Sequence, residues 1–240
     1  MEPMASYGQY CPVAKAVEVL ADRWTPLIIR ELLAGARRFN EIDRGLPGIS
    51  RPLLTQRLRR LTRFGVVRHR TSPDGHPEYH LTPAGIQLKE VIDAFGNWGA
   101  RWILADPSSS ELDPALLLWR MRRRINLAQL PQSRFVVEFE FHGAQRQQAW
   151  LVLEPDGVSV CLTDPGFDTD VLVTADTAAF HQVWLGRIAL TKALREGAVE
   201  LDGPPALVRA FTRALLYSPF ANMVKRSSGL EHLGTPAGVR

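Results

Sequence analysis

Two cysteines, Cys11 and Cys161, are all that 240 residues contain. That is too few for a disulfide framework and fits a reducing compartment. Long apolar runs are missing as well, since no stretch approaches the ~20 uninterrupted apolar residues that a transmembrane helix needs. The start, Met1-Glu2-Pro3-Met4, has no basic segment leading into an apolar one, so no signal peptide is read there. A cytoplasmic location with no membrane association is expected. Motifs of catalysis are equally scarce: there is no Gly-rich phosphate loop, no His-Glu-x-x-His, no Cys-x-x-Cys and no nucleophile elbow. Asp164, Asp168 and Asp170 share a loop with no evident partner base. His69, His76 and His80 have no cysteine partners nearby, which argues against a metal site. Neither an enzyme nor a cofactor is expected. Internal repeats and low-complexity tracts are absent.

What is present is a globular composition with an uneven charge. Hydrophobic residues make up 45% and charged residues 22%, so the chain can bury a core. The net charge of +4 says little, but its distribution is informative. Residues 37–70 hold ten arginines against Glu41 and Asp43, a local balance of +8. From Asp106 onward, fourteen basic residues face fifteen acidic ones. The basic field is confined to one part of one domain, and within it every cation is an arginine.

The centre of that field is Ser50 to Gly65, which reads as a helix. Ser50 is a candidate N-cap, Pro52 falls in the first turn where its missing N–H has no intrahelical partner, and Gly65 fits a C-terminal stop. At about 100° per residue, Leu53, Leu54, Leu58, Leu61 and Phe64 fall on one arc. Arg51, Thr55, Gln56, Arg59, Arg60 and Arg63 fall on the opposite arc. Guanidinium groups for phosphates and guanine edges, an amide for adenine and a short hydroxyl suit duplex DNA. Arg57 falls on the apolar arc and is expected to brace the fold by pairing with an acid such as Glu41 or Asp43.

The surroundings match. Residues 11–34 read as helices broken at Thr25-Pro26, and Arg38 to Ile42 begins a short third helix that ends near Gly45-Leu46-Pro47-Gly48. After the arginine helix, Val66 to Thr71 and Glu78 to Leu81 read as strands around the turn Ser72-Pro73-Asp74-Gly75-His76-Pro77. This is the element order of a winged helix-turn-helix. Arg68, Arg70 and His76 are candidate wing contacts, with Arg70 foremost. Thr82-Pro83 opens a long helix to about Leu104. Its Leu88, Val91, Phe95, Trp98 and Trp102 recur at three-four spacing, as a packing seam does. The seam either packs on its own domain or pairs two copies, and its large aromatics favour pairing.

Asp106-Pro107-Ser108-Ser109-Ser110 reads as a linker. Beyond it, Leu112 to Leu130 is amphipathic, Phe135 to Phe141, Trp150 to Leu153, Val158 to Leu162 and Val171 to Thr174 are strand-like, and helices are expected over Thr177 to Leu185, Ile188 to Glu196 and Leu207 to Tyr217. The expectation is an α/β two-domain (α+β) protein. Its domains are a winged helix-turn-helix at 8–105, a linker at 106–110, a domain with an antiparallel sheet and packed helices at 111–225, and a loose tail at 227–240. Trp119, Phe139, Trp150, Phe180, Trp184 and Phe211 fill the second domain's core or line a cavity for an apolar ligand.

The first domain resembles the HxlR-type winged helix-turn-helix transcriptional regulators of bacteria. The likeness is carried by Cys11-Pro12-Val13, by Asp22-Arg23-Trp24-Thr25-Pro26-Leu27 and the residues to Leu32, by Arg38 to Ile42, by Gly48 to Leu61, and by Tyr79 to Gly85. The resemblance implies a homodimer that binds double-stranded DNA and regulates transcription from a near-palindromic operator. It also implies that Cys11 is a candidate sensor of oxidants or electrophiles, against the plain reading of a small buried hydrophobe. The second domain is similar to the sterol carrier protein type 2 fold, through Asp168 to Asp176 and Gly197 to Gly203. That likeness implies an apolar small-molecule or lipid effector. The DNA-contacting set is expected to be Ser50, Arg51, Thr55, Gln56, Arg59, Arg60, Arg63 and Arg70. The competing reading is a lipid or small-molecule carrier whose helix-turn-helix only mediates protein contacts.

Overall fold

The computed structural model describes residues 6–227. They form two compact units, one ending at Phe95 and the next beginning at Gly96.

The first unit contains helices α1 (Pro12–Leu20), α2 (Thr25–Leu33), α3 (Phe39–Arg44) and α4 (Arg51–Arg63), then a hairpin of β1 (Val67–Thr71) and β2 (Pro77–Leu81). Helix α5 (Pro83–Trp102) follows and runs past the unit's end. Pro12, Pro26 and Pro52 all sit in first turns, where a proline costs no intrahelical bond. Ile28, Ile29, Leu32, Ile42, Leu46, Leu54, Leu58 and Leu61 are buried together in the core. Burying a side chain of this size stabilises the fold by about 1.5–3 kcal/mol. Glu41 closes the start of α3 by accepting the backbone N–H groups of Arg37 (2.7 Å) and Arg38 (3.2 Å). Gly48, at φ +90°, makes the turn between α3 and α4 that a side chain would strain. Strands β1 and β2 pair antiparallel from Val67↔Leu81 to Thr71↔Pro77. The expected order of elements holds throughout, with boundaries moved by one or two residues.

The second unit carries a five-stranded sheet of β3 (Phe135–His142), β4 (Gln147–Glu154), β5 (Gly157–Cys161), β6 (Val171–Asp176) and β7 (Val199–Asp202). Their spatial order is β5-β4-β3-β6-β7. Helices α6 (Pro114–Met121), α7 (Thr177–Leu185), α8 (Leu190–Arg195), α9 (Pro205–Ala214) and α10 (Ala221–Ser227) complete it. Phe135, Val137, Phe139 and Phe141 of β3 alternate with residues on the sheet's other face, and with Ala149, Leu151 and Leu153 of β4 they form the core face of the sheet. Asp176 caps α7 by accepting the N–H of Ala179 at 2.8 Å.

The second unit departs in several details from what its sequence predicts. The sheet is antiparallel except at its centre, where β3 and β6 are parallel. The chain reaches β5 at one edge and crosses back through residues 162–170 to lie on the far side of β3. The amphipathic stretch Leu112 to Leu130 is helical only through Met121, apart from a single turn at Leu127–Gln129. Residues 124–126 instead pair with the end of α9: Leu216 donates to the Arg124 carbonyl (2.8 Å), and Asn126 donates to that of Ala214 (2.8 Å). Helix α10 is an element that the sequence does not predict. The expected linker contains the start of a short turn at Ser109–Glu111, and its Asp106 pairs with Arg187, whose guanidinium also reaches the carbonyl of Leu104 at 2.7 Å. The tail expected at 227–240 lies outside the described residues beyond Ser227.

Candidate nucleic-acid interface

Helix α4 is placed by its buried leucines. Leu54, Leu58 and Leu61 face the core, so the opposite face must turn outward. Ser50 caps the helix by accepting the N–H of Leu53 at 3.4 Å, and Thr55 returns its hydroxyl to the Arg51 carbonyl at 2.9 Å. Ser50, Arg51, Gln56, Arg59 and Arg63 are exposed, and Thr55 is half-buried. Arg51 is held at one end of the helix by Asp43 (3.0 Å) and Asn40 (3.0 Å), with its guanidinium 4.7 Å from the centre of the Phe39 ring.

The arginines of α4 fall into two groups. Arg59 and Arg63 are exposed and make no ion pair among the described residues. Arg57 and Arg60 are drawn to the turn between α1 and α2, where one carboxylate oxygen of Asp22 forms an ion pair with each, at 2.9 and 2.8 Å, and accepts a hydrogen bond from Arg60. Arg60 also donates to the Glu18 carbonyl. Two expectations are corrected here. Arg57 does brace the fold, but its partner is Asp22, because Glu41 is occupied in closing α3 and Asp43 pairs with Arg51. Arg60 is half-buried rather than on the outward arc, because three-residue spacing stacks it beside Arg57 on the flank facing α1.

The hairpin supplies a second exposed set. Arg68, His69 and Arg70 of β1 are exposed, and Arg68 and Arg70 make no ion pair among the described residues. The turn is closed by the Ser72 hydroxyl and the His76 carbonyl (3.0 Å), and Arg38 ties it to the start of α3 through Asp74 at 2.6 Å. The Ser72 hydroxyl, more than Arg38, holds the Asp74 carboxyl below its usual range. His80 meets Glu78 at 2.9 Å, and His76 lies 3.9 Å from Asp74. No group of three or more potential metal ligands is gathered among the described residues.

On α5, Val91, Phe95, Trp98 and Trp102 are exposed, at 36%, 56%, 59% and 56%. Their spacing confines them to a stripe about 60° wide. Leu88, expected in the same seam, packs instead against the first unit's core together with Ile92, because it lies at the inward edge of the stripe. Cys11 is half-exposed at the N-cap of α1, and Cys161 is half-buried in β5 opposite Trp150.

The six aromatics offered as a ligand cavity do not share one space. Phe139 meets Phe180 and Phe211 edge to face, with ring centres 5.8 and 6.3 Å apart, so these three fill the core. Trp184 packs with them. Trp150 lies on the opposite face of the sheet, in register with Glu138 and Cys161, and the Trp119 ring lies under the Arg122 guanidinium at 3.4 Å. An open cleft of about 200 Å³ lies elsewhere, lined by Leu127, Leu130, Pro131, Leu153 and Pro155 among others. Burial pushes the pKa of His181 on α7 down, against a 2.8 Å hydrogen bond to the Thr177 carbonyl. No helix among the described residues is long and apolar enough to cross a membrane.

Four helices with a short α3, a tight turn and an exposed arginine-bearing α4, followed by a basic hairpin, make a winged helix-turn-helix. Residues 19–107 match the family model described as HxlR-like helix-turn-helix, and residues 118–216 match that of the SCP-2 sterol transfer family. The chain is 39% identical over 104 residues to the uncharacterized HTH-type transcriptional regulator YvaP of Bacillus subtilis, covering 42% of this chain and 94% of that protein. It is 35% identical over 104 residues to an HTH-type transcriptional regulator of a Synechocystis species, covering 42% and 77%. Among solved structures, the reduced form of the transcriptional regulator YodB from B. subtilis is 32% identical, over 40% of this chain and 96% of that one, with a TM-score of 0.36. The chain belongs to the HxlR-like helix-turn-helix family. It is a transcriptional regulator of that type, with an SCP-2-like domain after the winged helix.

Proposed function

We propose that the protein binds a near-palindromic DNA operator as a homodimer and that an apolar small molecule held by the second domain modulates this binding. The observation that carries the first part is the division of arginines on α4. Arg59 and Arg63 stand exposed with no ion pair among the described residues, next to Thr55 and Gln56, while Arg57 and Arg60 are held by Asp22. These four side chains reach base edges in the major groove, Ser50 and Arg51 lie against a phosphate at the helix start, and Arg70 contacts the backbone or minor groove from the wing. Arg60 is removed from the contact set because Asp22 holds it.

Dimerisation is supported by the exposed stripe of Val91, Phe95, Trp98 and Trp102. Two reading helices one helical turn of DNA apart would then match a palindromic site. The effector reading is supported by the match of the second domain to a sterol-transfer family. A ligand shifts DNA affinity only if it binds the DNA-competent and DNA-incompetent states differently.

The test is titration of the full chain against a duplex selected from a random pool, at several salt concentrations. Binding whose logarithm falls linearly with the logarithm of salt supports the reading. A lack of binding to any duplex, with retention of an apolar probe, favours the carrier reading instead.

A further inference from the structure

We propose that Asp22 is a specificity-determining positioning residue, which holds Arg57 and Arg60 off the DNA and fixes α4 in register against the α1–α2 turn. The inference rests on the DNA-binding reading above.

Asp22 lies in that turn, and a single one of its oxygens takes a terminal guanidinium nitrogen from each arginine, at 2.9 and 2.8 Å. The three side chains are only 19–29% exposed, so water screens the contact less than it would a surface pair. Arg60 is gripped at two further points, the Glu18 carbonyl of α1 and the Phe64 ring, whose centre lies 5.8 Å away. The Nε atoms of Arg57 and Arg60 are buried and have no hydrogen-bond partner among the described residues. Asp22 is the carboxylate that pairs with both guanidinium groups among the described residues, and without it two cations would lie at the flank of the reading helix with that counter-charge removed.

Duplex DNA attracts every unpaired cation whatever its sequence, and each phosphate neutralised steepens the salt dependence by about 0.9. Base recognition, in contrast, requires a helix held in one position. Asp22 serves both needs. It withdraws two charges from sequence-independent binding and joins the middle of α4 to the α1–α2 turn. The expected gain is in the ratio of specific to non-specific affinity rather than in affinity itself.

The test uses the full chain, a duplex selected by the wild-type protein and a scrambled duplex of equal composition, with thermal unfolding measured alongside. Asp22→Asn keeps the shape and removes the charge. Its scrambled-duplex affinity should rise about threefold or more at low salt, the salt slope should steepen by about 1 to 2, and the selected-to-scrambled ratio should fall about tenfold. A ratio and slope equal to wild type in a folded variant would overturn the proposal, as would a parallel loss on both duplexes, which is the mark of a merely structural role. Arg60→Gln leaves the Asp22–Arg57 pair in place and remains informative if Asp22→Asn does not fold. Its salt slope should match wild type, and a drop of about 0.9 would mean that Arg60 touches a phosphate. Failure of the wild-type protein to bind any duplex would reject the DNA-binding reading and this proposal together, whereas wild-type binding with an unaltered Asp22→Asn rejects this proposal alone.

Discussion

The two units use their distinctive residues in opposite ways. In the first, arginines on α4 and β1 stand outside the fold: Arg59, Arg63, Arg68 and Arg70 contribute little to packing and remain available to a partner. In the second, the distinctive residues are aromatics turned inward, and Phe139, Phe180 and Phe211 contact one another in the interior. A function carried by exposed polar groups can be read from residue types and spacing. One carried by the shape of an interior cannot, because an aromatic that fills a core and one that lines a cavity look alike in sequence.

The largest test of this contrast is Phe139→Ala. If Phe139 is packing, the variant loses about 3–5 kcal/mol in denaturant unfolding of the second unit. A much smaller loss, together with uptake of an apolar probe by the wild type, would instead mark this interior as an open ligand site. Next comes Phe95→Ser with Trp98→Ser. If the exposed stripe on α5 pairs two copies, the dimer dissociation constant should rise about 100-fold or more in sedimentation equilibrium, since buried aromatics dominate such interfaces. An unchanged mass distribution would return α5 to the role of an exposed helix face.

Gly85→Ala tests the rigidity of the first unit. A Cβ there would lie 2.2 Å from the Val66 carbonyl oxygen, so the start of α5 must shift, and a loss of about 1–3 kcal/mol is expected in thermal unfolding. The smallest effect is His181→Gln. Burial lowers the His181 pKa, so below the ordinary value of about 6.5 the unfolded chain binds a proton that the folded one resists. Stability should therefore fall as the pH drops below that value and through the lowered one. The Gln variant should show a shallower acid-side decline in unfolding midpoints, and an identical decline would remove His181 from the account.

Much of the first unit was legible because its signals are local. The N-cap at Ser50, the leucine arc of α4 and the Pro-Asp-Gly turn of the wing each depend on residues close in sequence. What escaped was set by long-range closure. The partner of Arg57 and Arg60 is Asp22, far back along the chain, and nothing in the spacing of α4 separates Arg60 from Arg59 except the flank each occupies once α1 is docked. Leu88 shares the three-four repeat of the α5 seam yet lies at its inward edge and packs on the first unit's core, which spacing alone does not separate from pairing. In the second unit, the end of α6 and the parallel pairing of β3 with β6 both depend on segments that return late, the end of α9 and the crossover at 162–170.

The central claim is that the exposed face of α4 reads duplex DNA, and one comparison tests it directly: salt-dependent affinity of the wild type and of the Arg59→Ala, Arg63→Ala double variant for the same selected duplex. The account predicts a loss of about 2–6 kcal/mol in binding free energy and a reduced preference for the selected sequence, with a shallower salt slope if either arginine also neutralises a phosphate. Affinity and sequence preference equal to wild type, in a variant that remains folded, would contradict it.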